Sequence, residues 1–464
     1  MIALSRFFPL LPALLLAGCV NLAPTYEQPQ APVPSQWTAS GLGETRADIG
    51  WKGFFLDARL RQVIEQALGN NRDLRVAALN VDKARAQYRI QRATLLPSVS
   101  AGVSGSHSRT PASVSGADSA STSHQYSAEL GFSSYELDLF GRVRNLSDAA
   151  LESYLALEQT QRSTQISLVA EVANAWLTLA ADRALLQLAE ETLASQQASY
   201  SLQQRSHALG NTSGLALAQA QSTVESARGD VASYQSQIQQ DRNALNLLVG
   251  DTVADALLPA GLGSDSAQLL EIPAALPSSV LQQRPDVLAA EHELKAANAD
   301  IGAARAAFFP SISLTAAAGS SSTALNNLFS GGSGAWSFAP SISLPLFDGG
   351  TNRANLDVAK SDQAIQLATY EQTLQSAFRE VADALAVRST LEQRLDAQLA
   401  LTDATDKSYQ LSDALYRNGA SSYLEALDAQ RSLYAARQDL ISLQLTEQSN
   451  RITLYKVLGG GFAE

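Results

Sequence analysis

The chain has 464 residues and a formal net charge of −12, from 33 basic and 45 acidic side chains. This acidity argues against a nucleic-acid partner, which binds basic surfaces. A single cysteine excludes a disulfide framework, and a composition rich in Ala, Leu, Gln and Ser with 6% aromatic residues favours long helices.

The N-terminus carries a predicted signal peptide, residues 1–18. One basic residue is followed by an apolar stretch too short to span a bilayer and by small residues before Cys19. The string "LAGC" resembles the bacterial lipobox, which is cut before a cysteine that is then acylated. We therefore expect a covalent lipid on Cys19, with an ordinary secretory signal as the alternative. By resemblance to lipoprotein sorting, Val20 and Asn21 favour the outer membrane.

The rest of the chain is a tandem repeat. Residues 144–250 align with 353–459 without a gap, so that "VAEVANA" falls on "FREVADA" and Gly210 on Gly419. The predicted organisation is an N-terminal arm and equatorial segment (19–55), repeat 1 (56–250), an equatorial linker (251–285), repeat 2 (286–459) and a tail (460–464).

Each repeat contains an unusually long predicted helix. Neither Gly nor Pro occurs from Arg142 to Leu209 or from Thr351 to Asn418, and apolar residues recur every three or four positions. Such helices would be roughly 100 Å long. They therefore need neighbouring helices along their whole length, as in a coiled coil. After a turn at about residue 210 or 419, a shorter second helix follows in each repeat.

Four segments of about ten residues alternate apolar with small or polar side chains, which predicts strands at about 97–107, 125–139, 310–320 and 335–347. This pattern suits the wall of a membrane β-barrel, and a half-buried soluble sheet is the alternative. Four strands cannot close a barrel around a lumen, whereas three chains would supply twelve. The barrel interpretation therefore predicts a homotrimer.

Several strings resemble those of the outer-membrane factors of the TolC superfamily, in particular its lipidated, OprM-like efflux branch. Among them are "YELDLFGRVR", "RPDVLAAEH", "IGAARAAFFPSISL" and "LYKVLGGG". The resemblance covers essentially the whole mature chain. It implies an α+β membrane protein, in which a trimeric 12-stranded β-barrel continues into a long periplasmic α-helical barrel. It also implies a periplasmic adaptor and an inner-membrane, proton-driven pump of the resistance–nodulation–division class as partners.

In the fold that this resemblance implies, the two repeated turns lie at the periplasmic ends of the helices, and the second turn narrows the pore. The gate motif of the family falls on Leu424, Glu425 and Asp428, which helix geometry places on one face. Arg431 is close enough to pair with Asp428. The alternatives are a capping box of Ser422 with Glu425, a solvated Asp428 and a Leu424 packed in the core.

Only the second turn carries acidic residues, since Ala216 and Gln219 of repeat 1 align with Glu425 and Asp428. A ring of three carboxylates in a trimer would favour cations over anions. The turns are also the exposed ends at which the resemblance implies adaptor docking. The predicted docking residues are Arg205, Gly210, Ser213, Arg417, Gly419 and Ser422.

The sequence thus predicts the outer-membrane exit duct of a tripartite efflux system, opened by partner docking. The alternatives are the channel of a type I protein-secretion or metal-export system and a non-conducting lipoprotein with a coiled-coil stalk. No phosphate-binding loop, nucleophile elbow or metalloprotease motif occurs, and the four histidines are scattered. We therefore expect neither an enzyme nor a cofactor other than the lipid.

Overall fold

A computed structural model describes residues 20–34, 37, 50–116, 118–262, 269–271 and 278–460. The predicted signal peptide and Cys19 lie outside these residues. The helices are α1 (Trp51–Phe54), α2 (Ala58–Asn70), α3 (Arg72–Ala93), α4 (Ala112–Ser115), α5 (Arg142–Ala208), α6 (Gly214–Val249), α7 (Pro285–Ala306), α8 (Thr351–Arg417) and α9 (Tyr423–Val457). The strands are β1 (Val99–Thr110), β2 (Ser121–Leu137), β3 (Ser311–Ser322) and β4 (Gly334–Ser343).

The predicted α+β fold with an internal repeat is confirmed. Helices α5 and α8 are each 67 residues long and unbroken, as the absence of Gly and Pro predicted. The strands end within four residues of their predicted limits. The largest difference at a C-terminal end is in β4, which ends at Ser343 because Pro345 has no N–H for a sheet ladder.

The chain forms two compact units. The first comprises the described residues within Met1–Gln30, Asn80–Glu158 and Ala289–Tyr370. The second comprises those within Ala31–Leu79, Gln159–Leu288 and Glu371–Glu464, and it includes both repeated turns. Within the described chain, no helix is both long and apolar enough to cross a membrane.

The first unit contains one antiparallel sheet with the strand order β1-β2-β3-β4. Its register places the apolar residues of all four strands on one face, since Val99 lies opposite Phe132 and Phe132 opposite Ala316, which in turn faces Phe338. Val99 and Phe338 are largely exposed, and Phe132 and Ala316 are half-buried. Pro340 is tolerated inside β4 because β4 is an edge strand.

In the same unit, residues 20–30 lie alongside helix α7. The side-chain amide of Asn298 donates to the carbonyl of Pro24 at 2.8 Å, and Arg305 Nη1 donates to that of Leu22 at 3.0 Å. Gly302 lies between these contacts, where a Cβ would stand only 2.8 Å from that of Ala23. The glycine therefore lets the arm approach the helix closely.

The core of the second unit is built around large aromatic side chains. Trp176 on α5 is fully buried, and its indole N–H donates to the carbonyl of Leu257 at 3.0 Å. The ring of Phe54 stacks on that of Tyr455 on α9, with ring centroids 4.4 Å apart. Burial of such side chains dominates the stability of a core, and the N–H of a buried Trp needs an acceptor.

Arg284, just before α7, ties together three parts of this unit. Its guanidinium is buried, contacts Asp286 at 2.7 Å and Glu380 on α8 at 2.9 Å, and donates to the carbonyl of Val457 at 2.7 Å. A buried charge of this kind is tolerated because every contact is a charge-assisted or carbonyl hydrogen bond.

The two repeats differ at one buried position between their paired helices. In repeat 1, Asp182 on α5 faces Asp241 on α6, whose side chain is 8% exposed. Burial, with the hydrogen bond to Asp241 and its negative charge, raises the pKa of Asp182 to about 7. The aligned residues of repeat 2 are Leu391 and Asn450, and the Asn450 amide donates to the carbonyl of Ala384 at 3.0 Å. Repeat 2 therefore fills the same position with neutral groups.

Candidate functional site

The candidate site is the pair of turns that end the long helices. In the first turn, Gly210 has φ +77°, and its N–H donates to the carbonyl of His207 at 2.9 Å. In the second, Gly419 has φ +74° and donates to Tyr416 at 2.9 Å. A left-handed residue with these bonds is the common C-terminal cap of a helix, and glycine adopts it without strain.

Both turns then start a new helix with the same serine cap. Ser213 Oγ accepts from the N–H of Ala216 at 3.2 Å, and Ser422 Oγ accepts from the N–H of Glu425 at 3.4 Å. The capping half of the box predicted for Ser422 and Glu425 is therefore present. The Glu425 side chain itself is exposed.

The four predicted gate residues lie on one exposed face of α9. Leu424, Glu425, Asp428 and Arg431 are all exposed, and Leu424 has 56% of its surface accessible. Core packing of Leu424 within one protomer, one of the alternatives from the sequence, is therefore wrong. The predicted ion pair is also not formed, because among the described residues Arg431 has no salt bridge to Asp428.

The aligned face of α6 in repeat 1 has a similar shape but no charge. Leu215 takes the position of Leu424 and is 70% exposed, while Gln219 takes that of Asp428. The two turns thus share their backbone geometry and an exposed leucine. They differ in the acidic side chains, which only the second turn carries on this face.

The opposite face of α9 packs against helices of repeat 1. Tyr423 and Leu427 form a buried cluster with Ala220 of α6, and Tyr200 and Tyr416 lie against it. Burial raises the pKa of the Tyr423 and Tyr416 hydroxyls above their ordinary value. This cluster fixes which face of α9 remains exposed.

A buried polar network lies one to two turns further along α9 than this cluster. The Gln196 amide on α5 donates to the side-chain oxygen of Gln430 on α9 at 2.9 Å, and the Gln430 amide donates to Ser195 Oγ at 3.1 Å. Thr223 on α6 donates to Gln196 at 2.8 Å. The network joins three helices at the level of Asp428, and it holds α9 in one rotation.

Two further contacts continue this line of polar bonds. Tyr434 donates to Asp230 at 3.3 Å, and Arg437 Nη2 lies 2.8 Å from Asp406 on α8. None of these residues could be identified from the sequence, since glutamine and tyrosine in a long helix carry no motif. Only the covariation of paired positions in related sequences could have indicated them.

The predicted docking residues are all at or near the exposed ends. Gly210, Ser213, Gly419 and Ser422 are exposed, and an added Cβ at either glycine would meet nothing within 4 Å. Arg417 pairs with Asp413 one turn earlier at 2.8 Å and stays exposed.

Arg205 is likewise exposed on the last turns of α5. Both turns thus offer open backbone with an arginine beside it. Among the described residues, no group of three or more histidine, cysteine or carboxylate side chains has a metal-binding arrangement.

Comparisons with known proteins agree with this architecture. The family model described as outer membrane efflux protein matches residues 63–251 and 276–460, which contain both turns. The probable efflux pump outer membrane protein TtgC of Pseudomonas putida is 52% identical over 97% of this chain and 94% of its own length. The cation efflux system protein CusC of Escherichia coli strain K12 is 44% identical over 98% and 99% of the two chains.

A solved structure gives the same fold. The open state of the MtrE outer membrane channel of Neisseria gonorrhoeae superposes with a TM-score of 0.86 at 42% sequence identity, and the match covers 96% of this chain and 99% of that one. Fold and sequence therefore agree over nearly the full length.

Proposed function

The chain belongs to the family of outer membrane efflux proteins, and from this membership we propose that it is the exit duct of a tripartite efflux pump. In this function it passes small toxic compounds from an inner-membrane, proton-driven pump and a periplasmic adaptor to the cell exterior. The names of the relatives support the proposal, since TtgC and CusC are both named as efflux proteins. The duct is passive, and no chemical step is assigned to it.

The observation that carries the proposal is an incomplete sheet. Strands β1 and β4 are its two edges, and its apolar face is exposed in a single chain. Open strand edges can pair with another chain, and an exposed apolar face that extends over four strands is typical of an interface or a lipid contact. Three copies that pair β1 with β4 would form a closed barrel of twelve strands with this face toward lipid. We therefore propose a homotrimer.

The gate of this duct is proposed to be the exposed face of α9. Three copies of Leu424 and Asp428 around the trimer axis would give an apolar constriction next to a ring of carboxylates, with Glu425 beside it. Such a ring disfavours anions and favours cations. Arg431 would lie one turn further along and moderate the negative potential.

The two turns are proposed to bind the adaptor. Their exposed glycines and serines allow close backbone contact, and Arg205 and Arg417 offer hydrogen-bond donors to an acidic or carbonyl-rich partner. Docking at Gly419 and Ser422 would act directly on the start of α9. A partner bound there is therefore well placed to open the gate.

The outer-membrane location rests on the family, and anchoring by a lipid on Cys19 is our proposal from the "LAGC" string. A single acyl chain gives only weak attachment, whereas a lipoprotein cysteine with several chains holds firmly. Replacement of Cys19 by Ala should abolish labelling with radioactive palmitate.

Single-channel conductance of the purified protein in planar bilayers tests the duct and its gate. We expect the wild type to be nearly closed and cation-preferring, Leu424→Ala to conduct more, and Asp428→Ala to lose cation preference. Leu215→Ala and Gln219→Ala are matched controls, because they make the aligned changes in the uncharged turn. If all five proteins conduct alike, the constriction lies elsewhere, and if verified trimers do not conduct, the duct proposal fails.

Metal export is a second candidate function, supported by the 44% identity to CusC, a protein named for cation efflux. The two functions can be distinguished in a bacterial strain that lacks its own exit ducts. The chain is co-expressed with the pump and adaptor of either a drug or a cation system, and survival is scored on each toxic compound. Rescue by the cation system alone would favour metal export.

A further inference from the structure

A pair of histidines lies at one end of the sheet, away from the candidate gate. His107 on β1 and His124 on β2 are direct neighbours across the two antiparallel strands. Both are exposed, and they lie at the end of the strand pair that is joined by the β1–β2 connection. Residues in such a cross-strand pair have their Cβ atoms about 5 Å apart, so their side chains can contact each other.

The Nδ1 atoms of the two imidazoles face each other. His107 Nδ1 and His124 Nδ1 are 2.5 Å apart, and the ring centroids are 4.7 Å apart with an angle of 70° between the ring planes. A neutral imidazole has one N–H and one lone pair, so one ring can donate to the other. Alternatively, both lone pairs can face a shared ion.

The Tyr126 hydroxyl lies within reach of the second ring nitrogen of His107. The Tyr126 hydroxyl lies 3.4 Å from His107 Nε2, and its ring meets the imidazole edge-on with centroids 5.4 Å apart. If Nε2–H donates to this hydroxyl, Nδ1 of His107 keeps its lone pair and directs it at His124. Histidine ligands of metals are commonly held in this way, with the other ring nitrogen donating to a fixed acceptor.

We propose that His107 and His124 form a two-imidazole site for a divalent transition metal ion, with Tyr126 as the positioning residue. A metal–nitrogen bond of about 2.05 Å in tetrahedral geometry places two ligand nitrogens about 3.3 Å apart. The present separation is shorter, and rotation of the two exposed rings opens it without moving the strands. Water molecules complete the coordination.

The chemistry of the ligands selects the metal. Imidazole nitrogen suits Zn²⁺, Cu²⁺ and Ni²⁺, whereas Ca²⁺ and Mg²⁺ prefer carboxylate oxygen. Because no third protein ligand joins the two rings among the described residues, the affinity follows the general order of divalent ions, with Cu²⁺ bound most tightly. The proposal does not depend on the duct function.

The other two histidines have different surroundings and serve as controls. His207 Nδ1 contacts the carbonyl of Thr212 at 3.0 Å, and His292 Nδ1 pairs with Glu152 at 2.6 Å. Neither faces a second imidazole. His207→Ala is therefore a matched variant that removes one exposed histidine and leaves the proposed site intact.

Calorimetric titration of the detergent-solubilised full-length protein with Cu²⁺ and Zn²⁺ tests the proposal. The protein carries an affinity tag without histidine and is stripped with a chelator beforehand. We expect one ion per protomer at pH 7.5, unchanged in His207→Ala. Binding should weaken by at least tenfold at pH 5, where protonated imidazoles cannot ligate. It should be lost in His107→Gln and in His124→Gln.

Tyr126→Phe distinguishes the positioning role of Tyr126 from metal ligation by the two histidines. Loss of the hydroxyl should weaken the metal affinity by roughly tenfold while the stoichiometry stays at one, since such partners commonly contribute 10- to 100-fold. Gel filtration confirms that each variant keeps the assembly of the wild type. The proposal is overturned if the wild type binds no metal, or if binding of equal strength persists after both His107 and His124 are replaced.

Discussion

Replacement of Asp241 by Asn should stabilise the contact between α5 and α6 at neutral and alkaline pH. The change keeps the shape of the side chain and the acceptor for Gln237, whose amide donates to Asp241 Oδ1 at 3.0 Å. It removes the negative charge that faces Asp182. It also recreates the amide that repeat 2 has at the aligned position, Asn450.

The size of the effect follows from the pKa of Asp182. A rise from 3.8 to about 7 corresponds to at most about 4 kcal/mol at 1.36 kcal/mol per pKa unit. Burial, the largest cause of the rise, is unchanged in Asp241→Asn, and solvent reaches the half-buried Asp182. The part of the free energy that the variant recovers is therefore about 1 to 2 kcal/mol. Because the folded-state pKa is raised, the folded protein binds the extra proton, and stability falls as pH rises from about 4 to about 7.

Hydrogen–deuterium exchange compares the variant with the wild type at each pH. At pH 8 we expect the peptides around residues 182 and 241 to be about 5- to 30-fold better protected in Asp241→Asn, which corresponds to 1 to 2 kcal/mol. At pH 5 the difference should largely vanish, since the wild-type pair then holds its proton. Asp403→Asn, an exposed change on α8, is the control. Equal protection at pH 8, or a benefit that is the same at both pH values, would refute the reasoning.

Three further substitutions, the first with a control, test the packing and the turns. Trp176→Ala should cost about 3 to 5 kcal/mol, seen as a lower thermal midpoint, whereas Trp336→Ala on the exposed sheet face should leave the midpoint of the detergent-solubilised protein nearly unchanged. Arg284→Ala should cost about 1.5 to 3 kcal/mol, because it removes the charge-assisted hydrogen bonds to Asp286 and Glu380 and the donor to the Val457 carbonyl, and equal stability to wild type would contradict this. Gly419→Ala should cost about 1 kcal/mol because φ is +74°, and exchange of the turn amides should rise accordingly.

The features that could be predicted from the sequence are those with a local physical cause. The absence of Gly and Pro predicted both long helices, alternation of apolar residues predicted the strands, and Gly210 and Gly419 marked the helix ends. The exposure of Leu424 is implied only by the family resemblance of its turn, because an apolar residue in a helix is as often packed inside. Its exposed position follows from how Tyr423 and Leu427 pack against α6.

Long-range polar contacts could not be predicted from the sequence. The bond between Gln196 and Gln430 joins residues more than 200 positions apart, and so does the bond between Tyr434 and Asp230. The facing carboxyl groups of Asp182 and Asp241 also depend on how two helices pair. Such contacts have no periodicity and no fixed spacing, and they become visible only when the helices are docked.

The pairing of β2 with β3 has a consequence for biogenesis. The two strands come from different repeats, and Leu137 pairs with Ile312, roughly 175 positions later in the chain. The β1–β2 pair is complete early in synthesis. The other edge of β2 stays unpaired until the rest of repeat 1 and the start of repeat 2 have been synthesised. A newly exported chain therefore carries an unprotected strand edge for that interval, which favours misassociation between nascent chains.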